Sequence, residues 1–279
     1  MYRFRAASEV IREGVPPALT DVFAVITELG GLPFLLVALS VLYWVGDRPS
    51  TATVISYTLV ALVVTLALKQ LFMFSRPPVS VQAVAERPET SGFPSGHAIS
   101  ATVVYGGLVL ARDRLRDIRF VGAAVTVIGL VGLSRIVIGV HYLGDVLAGY
   151  AVGAAILGGL WLTVGQRAAL GCLVAAAAAA LTFPVTAGSG YALLGLGGSI
   201  GGAIALWTSD IERLPTPESV GQTVVFVVAG LVFTGMTYLI AETLTVAPIA
   251  VLASAVLVAG IVLFPRLLET APLDALRAN

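Results

Sequence analysis

The chain has 279 residues, 58% of them hydrophobic and 11% charged, with a mean hydropathy of +0.97 and no net formal charge. About a quarter of the residues of a soluble domain are charged, so these proportions exclude a soluble globular fold, a disordered chain and a nucleic-acid binder. A single cysteine, Cys172, excludes a disulfide scaffold; what remains is an all-α, polytopic membrane protein.

Residues 1–17 mix Tyr2, Phe4, Val10 and Ile11 with Arg3, Arg5 and Arg12 and lack the apolar core of a secretory signal. The pattern predicts a short amphipathic helix lying on the membrane surface. Crossing a hydrocarbon core takes about 20 apolar residues in a helix. Runs of that kind fall at 18–45, 51–74, 95–111, 120–138, 142–164, 168–187, 190–208, 220–241 and 246–264, a bundle of about nine helices. The segment 95–111 is short for a span, and 168–187 is parted from 190–208 only by Phe183-Pro184 and a Gly-Ser-Gly turn. Gly197/Gly201 and Gly198/Gly202 form overlapping small-xxx-small pairs, a device for close helix packing. The one long polar connection, 75–94, carries four prolines and no helical period, which points to a functional loop.

The charged residues are unevenly chosen. Fifteen of the 16 basic residues are arginine, Lys69 is the one lysine, and His97 and His141 are the only histidines. Lys69 and Arg76 stand seven residues apart. On a continuing helix that is two turns, about 10 Å, so both cations would share one face. Taken alone they could be snorkelling interfacial charges. Phe93-Pro94-Ser95-Gly96-His97 opens the helix of 95–111, where proline suits the first turn. The backbone N–H groups of Ser95, Gly96 and His97 would then face an anion at the positive end of the helix, with the Ser95 hydroxyl beside them. An ordinary capped helix start would look the same. His141 and Asp145, four apart, would be neighbours on a helix face, the carboxylate orienting the imidazole, with Arg135 at the end of the preceding helix. A satisfied interior His–Asp pair is the alternative for this piece.

The three clusters fall at helix ends on one membrane face. Ionisable groups in apolar spans are costly and functional by default, and together these describe a phosphate site with a nucleophile and an acid. Two histidines and one aspartate could ligate zinc, but three neighbouring cations would repel the ion, so no metal and no cofactor is expected.

In this order, Lys69–Arg76-Pro77, Pro94-Ser95-Gly96-His97 and Ser134-Arg135–His141–Asp145 resemble the three-part signature of the type 2 phosphatidic acid phosphatase (PAP2) superfamily. The resemblance covers residues from about 20 to 165 or 185. It implies metal-independent hydrolysis of a phosphate ester or anhydride through a phospho-histidine. His141 would attack phosphorus, Asp145 would orient it, and His97 would protonate the leaving oxygen. Lys69, Arg76, Arg135 and the backbone around Ser95 and Gly96 would hold the phosphoryl oxygens. Vanadium-binding haloperoxidases share the signature but are soluble, which this composition excludes. Family members usually place about three helices before the lysine motif, and only two are legible here.

The expected organisation is an amphipathic segment at 1–17, a PAP2-like core at 18–187 and additional transmembrane helices at 188–279. The last group resembles nothing recognisable and could form a lipid-access wall, a homo-oligomer surface or a partner site. Arg48, Arg112, Arg114, Arg116, Arg119, Arg167, Arg213, Arg266 and Arg277 fall opposite the site, whereas Arg3, Arg5, Arg12 and Arg87 share its side. The positive-inside rule then puts the site on the extracytoplasmic face of the cell membrane. The expected substrate is a membrane lipid: polyprenyl diphosphate, slightly favoured by that orientation, phosphatidate or phosphatidylglycerophosphate. The alternatives are a soluble ester such as a sugar phosphate, or a non-enzymatic transporter. Transporters place their sites near the midplane, often between inverted repeats, and no repeat is visible.

Overall fold

The computed structural model describes residues 3–84, 91–186, 190–244 and 246–270. Tyr2, Arg87, Arg277, Gly188 and Ser189, named above, lie outside the described residues. No strand occurs among the described residues; the elements are α1 (Arg5–Glu13), α2 (Thr20–Glu28), α3 (Leu32–Val45), α4 (Arg48–Phe72), α5 (Gly96–Ala111), α6 (Ile118–Val137), α7 (Leu143–Thr163), α8 (Ala168–Thr186), α9 (Gly190–Thr208), α10 (Val220–Thr243), α11 (Ala247–Leu263) and the short α12 (Leu267–Thr270). Seven of the described helices are long and apolar enough to cross a membrane, and α5, with 16 residues, is a shorter apolar helix. The chain is a multi-pass membrane protein.

The run 18–45, expected as one span, is broken. α2, with the preceding turn, and α3 meet at a 51° bend. Two consecutive glycines, Gly30 and Gly31, weaken the helix there. The carbonyls the break releases are captured by α5: Tyr105 Oη donates to Leu29 O (2.7 Å) and Ser100 Oγ to Gly30 O (2.7 Å). Gly30 is also too close to its neighbours for a side chain, since a Cβ would stand 2.6 Å from Val131 Cγ1 and 3.0 Å from the His97 carbonyl.

The chain forms two compact units, neither continuous in sequence. The first takes residues up to 35 and 64–162. Within it α1, α2 and α5 pack on α6. α7 meets α6 at Gly132, where a Cβ would overlap the Tyr150 hydroxyl, and meets α5 at Gly149 and Gly153, where a Cβ would stand 2.7 Å from Ser95 O and 3.0 Å from Ile99 O. Small residues thus bring the second and third turns of α7 against the backbone at the start of α5.

The second unit takes residues 36–63 and those from 163 onward. Here α9 packs on α8 and α11, and α10 on α11. The glycine pairs read from the sequence are the contact: a Cβ at Gly197 would lie 2.2 Å from Val251 O and one at Gly201 2.1 Å from Ala255 O. Trp44, fully buried, donates from Nε1 to Ile261 O (2.9 Å) and lies tilted against the Phe264 ring (5.1 Å between centroids).

Candidate active site

The residues of all three sequence clusters fall in the first unit. Lys69 lies in the last turn of α4. That helix stops at Phe72, because Met73 takes a left-handed conformation (φ 48°) with its N–H donating to Lys69 O (3.0 Å). Lys69 and Arg76 therefore do not share one helix face, contrary to the spacing argument. Arg76 arrives on the irregular segment after the helix, where Pro77 disfavours helical geometry for the residue before it. Lys69 nevertheless reaches the first turn of α5: a Cβ built on Gly96 would lie 4.0 Å from Lys69 Cε.

His141 follows the end of α6, in a turn whose Val140 and His141 N–H groups both donate to Arg135 O (3.2 Å each). Its imidazole is buried. The Nδ1–H donates to the Gly92 carbonyl at 2.7 Å, and since a carbonyl only accepts, this contact places the ring proton on Nδ1. Nε2 is then the lone-pair nitrogen, and it receives Arg76 Nη1 at 3.2 Å. Burial, and after it the Arg135, Arg76 and Lys69 cations, push His141 well below the usual histidine range, so the ring is neutral at physiological pH. The structure holds a deprotonated nitrogen facing a guanidinium.

Asp145 does not orient the ring as the i, i+4 spacing predicts. Its Oδ2 is 3.6 Å from His141 Nδ1, beyond a hydrogen bond, and accepts instead from the Tyr142 N–H (2.9 Å). Oδ1 accepts from Arg3 Nη1 at 2.8 Å, and both partners are buried. Ring orientation falls to Gly92, which sequence reasoning did not single out. A backbone carbonyl carries no sequence signal, although Gly92 packs so closely on Arg76 that a Cβ would lie 3.1 Å from Arg76 Cγ and 3.2 Å from its Cα.

Ser95 is also placed differently. It is fully buried as the N-cap of α5, its N–H donating to Asp145 O (3.0 Å) and its Oγ accepting from Ala98 N (3.5 Å). Its N–H is therefore committed to the protein rather than open to an anion. Gly96 and His97 open the helix proper, and His97 lies beside the α2–α3 break, its Nε2 3.6 Å from a Cβ position on Gly31. Arg135, buried, is held by Thr27 Oγ1, which accepts from Nη1 at 3.0 Å.

Arg3 is the largest surprise. Expected on the membrane surface, it is buried and donates to Asp145 and to the Ser75 carbonyl, its guanidinium lying 4.8 Å from the Tyr142 ring and 5.5 Å from Phe74. Backbone contacts fix it, with Gly144 N–H donating to Arg3 O (3.1 Å) and Leu143 N–H to Ser8 Oγ (2.8 Å). Among the described residues, no group of three or more His, Cys, Asp or Glu side chains gathers into a metal site.

Residues 50–169 match the family model of the PAP2 superfamily. Two curated relatives are named lipid A 1-phosphatase. That of Rhizobium johnstonii is 34% identical over 82 residues, 29% of this chain and 30% of the relative, and that of Rhizobium etli is 35% identical over 81 residues, 29% and 31%. The match thus spans less than a third of the relatives' length. No solved structure matches the chain.

Proposed function

Because residues 50–169 are of the PAP2 superfamily, we propose that this protein is an integral-membrane lipid phosphatase that cleaves a phosphate monoester or diphosphate through a phospho-histidine on His141. The observation that carries the reading is the state of His141: Nδ1–H anchored on Gly92 O at 2.7 Å, Nε2 unprotonated and 3.2 Å from Arg76 Nη1. An incoming phosphoryl group takes over the Arg76 donor and meets the Nε2 lone pair in the same place. Nε2 attacks phosphorus while the bond to the leaving oxygen breaks, and His97, which takes up a proton when the anionic phosphate enters among the cations, gives that proton to the oxygen. His97 then takes a proton from the water that attacks the phospho-histidine, releasing inorganic phosphate and restoring His141.

Phosphoryl transfer asks a protein mainly for positioning and charge stabilisation. Arg76, Arg135 and Lys69 supply the charge, and the Gly96 and His97 N–H groups supply the helix N-terminus. Ser95 holds the turn rather than the substrate. Asp145 stabilises the imidazolium as it forms, through space and not through a hydrogen bond. Three cations around the nucleophile favour an anionic substrate over a resident cation, which supports a metal-independent reaction.

The substrate class is a phosphate borne by a membrane lipid. Polyprenyl diphosphate, phosphatidate and phosphatidylglycerophosphate are candidates, and the name shared by the two relatives adds the 1-phosphate of lipid A. The arginine distribution supports an extracytoplasmic site, more so with Arg3 committed to Asp145 than with Arg3 counted as a flanking loop charge.

The test is phosphate release from these four lipids by the purified chain in detergent with EDTA, beside His141→Ala. Release that survives EDTA and falls by roughly 10³ or more without His141, together with an acid-quenched phospho-enzyme in the wild type, is expected. Release from a sugar phosphate alone would replace the lipid reading. Lipid binding with no turnover would overturn the enzyme reading in favour of a transporter.

A further inference from the structure

The mechanism above uses one carboxylate, Asp145, and leaves Arg3 unexplained. Three stretches of the chain converge on Asp145: residue 3, residue 95 and the turn 141–142. Oδ1 takes Arg3, Oδ2 takes the Tyr142 N–H, the main-chain oxygen takes the Ser95 N–H, and Oδ2 stands 3.6 Å from His141 Nδ1. Arg3 in turn bridges to the Ser75 carbonyl, directly before Arg76, and lies against the Phe74 ring (5.5 Å). One guanidinium therefore connects the residue facing the nucleophile's N–H side to the segment that carries the donor on its lone-pair side.

We propose that Arg3 is a positioning residue of the active site: it occupies the Asp145 oxygen turned away from His141, offsets that carboxylate's charge, and fixes the segment 73–76 from which Arg76 reaches Nε2. This rests on the reading of His141 as nucleophile. Uncompensated, Asp145 would favour the imidazolium in the resting enzyme, where the lone pair must be available. With Arg3 in place the carboxylate is held 3.6 Å from Nδ1, and the ring proton stays with Gly92. Arg3 touches neither phosphorus nor leaving group, so its loss should lower kcat and leave KM nearly unchanged.

The other charges that act on His141 come from different elements: Lys69 from α4, Arg76 from the segment after it, His97 from α5 and Arg135 from α6. A change at position 3 leaves Lys69, His97 and Arg135 in place and loosens only the segment of Arg76, whose withdrawal from Nε2 would act on His141 in the same direction as the lost Arg3 charge. Removing a positive charge beside Asp145 therefore has one sign: protonation of His141 becomes easier and its midpoint moves upward.

Histidine NMR tests this without substrate, because the full chain contains only two histidines. Carbon-13-labelled protein in detergent would be titrated as wild type, Arg3→Gln, Arg3→Lys and Ser8→Ala, with His97→Gln assigning the two signals. We expect the His141 midpoint to rise in Arg3→Gln and return to the wild-type position in Arg3→Lys, which keeps the charge. Turnover of whichever of the four lipids the wild type cleaves fastest should fall about 10- to 100-fold in Arg3→Gln. It should recover only partly in Arg3→Lys, since an ammonium cannot bridge two acceptors as a planar fork does. Ser8→Ala loosens the anchorage of α1 without touching the charge, and should leave the midpoint where it is. An unmoved midpoint in folded Arg3→Gln, or an equal shift in Ser8→Ala, would overturn the proposal. If Arg3→Gln does not fold, Arg3→Lys and Ser8→Ala still decide: a midpoint moved in Arg3→Lys, or moved in Ser8→Ala, refutes it. A wild type that cleaves no lipid would sink the phosphatase reading and leave the NMR result standing by itself.

Discussion

The two units of this molecule differ in how they bury their most costly polar side chains. In the second unit the hydroxyls of Ser40, Thr58, Ser199 and Ser254 each donate to a carbonyl four residues earlier in their own helix, at 2.5–2.8 Å. Those bonds need no partner segment and do no more than make a polar atom tolerable in an apolar helix. In the first unit Arg3, Arg135 and His141 find partners in other segments: Asp145, 142 positions away, Thr27, 108 away, and Gly92, 49 away. Each such contact commits two distant stretches of chain to one geometry. A hydroxyl answered by its own helix belongs to folding, whereas an ionisable group answered across the chain marks a site. Partners across the chain also occur in the second unit, where Tyr43 and Trp44 donate to the Val262 and Ile261 carbonyls and Arg48, buried at the first residue of α4, donates to the Leu214 and Pro215 carbonyls; these join helices and a loop and serve no reaction.

The largest effect that would sharpen this contrast is at Arg76. Arg76→Gln keeps a donor but removes the charge beside Nε2, and should cost on the order of 10² in kcat/KM, as loss of an oxyanion donor does. It should also move the pH profile. Arg76 is one of the cations that hold His141 well below the usual histidine range; without it, protonation is easier and the acid limb of kcat/KM moves to higher pH. A normal rate with an unmoved limb would take Arg76 out of the site. Next is Gly92→Ala. The added Cβ would press on the Arg76 backbone at 3.2–3.3 Å and displace the carbonyl that holds Nδ1. We expect a kcat loss of roughly tenfold, with KM little changed and the protein folded by circular dichroism. Full activity would return the orienting role to Asp145.

Much of this was readable before any coordinates, and the reason is contrast. Lys69, His97, Arg135, His141 and Asp145 stand out because ionisable groups are rare in apolar runs, and helix periodicity brings them to helix ends at one face. Arg3 does not stand out. It sits among three arginines of an amphipathic segment, and nothing local distinguishes the one that turns inward. Gly92 acts through a carbonyl, which every residue possesses. The end of α4 at Met73 is hidden for a similar reason: methionine carries no preference for the left-handed region, so the two-turn spacing of Lys69 and Arg76 suggests a helix that continues. The bend at Gly30-Gly31 needed the hydroxyls of Ser100 and Tyr105, which arrive from α5, 70 and 76 positions later. Sequence reveals which groups are costly to bury; which partner answers them is a tertiary fact.

The smallest effects belong to the second unit and test the other half of the contrast. Gly201→Ala would put a Cβ 2.1 Å from Ala255 O, forcing α9 away from α11. Overpacking of this kind costs roughly 1–3 kcal/mol, read as a lower melting temperature in detergent, while phosphate release per folded molecule stays at the wild-type rate. Ser254→Ala, on the facing helix, removes only a hydroxyl whose partner is Ala250 O of the same helix at 2.7 Å. Its cost should stay below about 1 kcal/mol, with activity unchanged. If Ser254→Ala instead abolished turnover in folded protein, a helix-satisfied hydroxyl would have proved functional. The rule that a hydroxyl answered by its own helix belongs to folding would then fail.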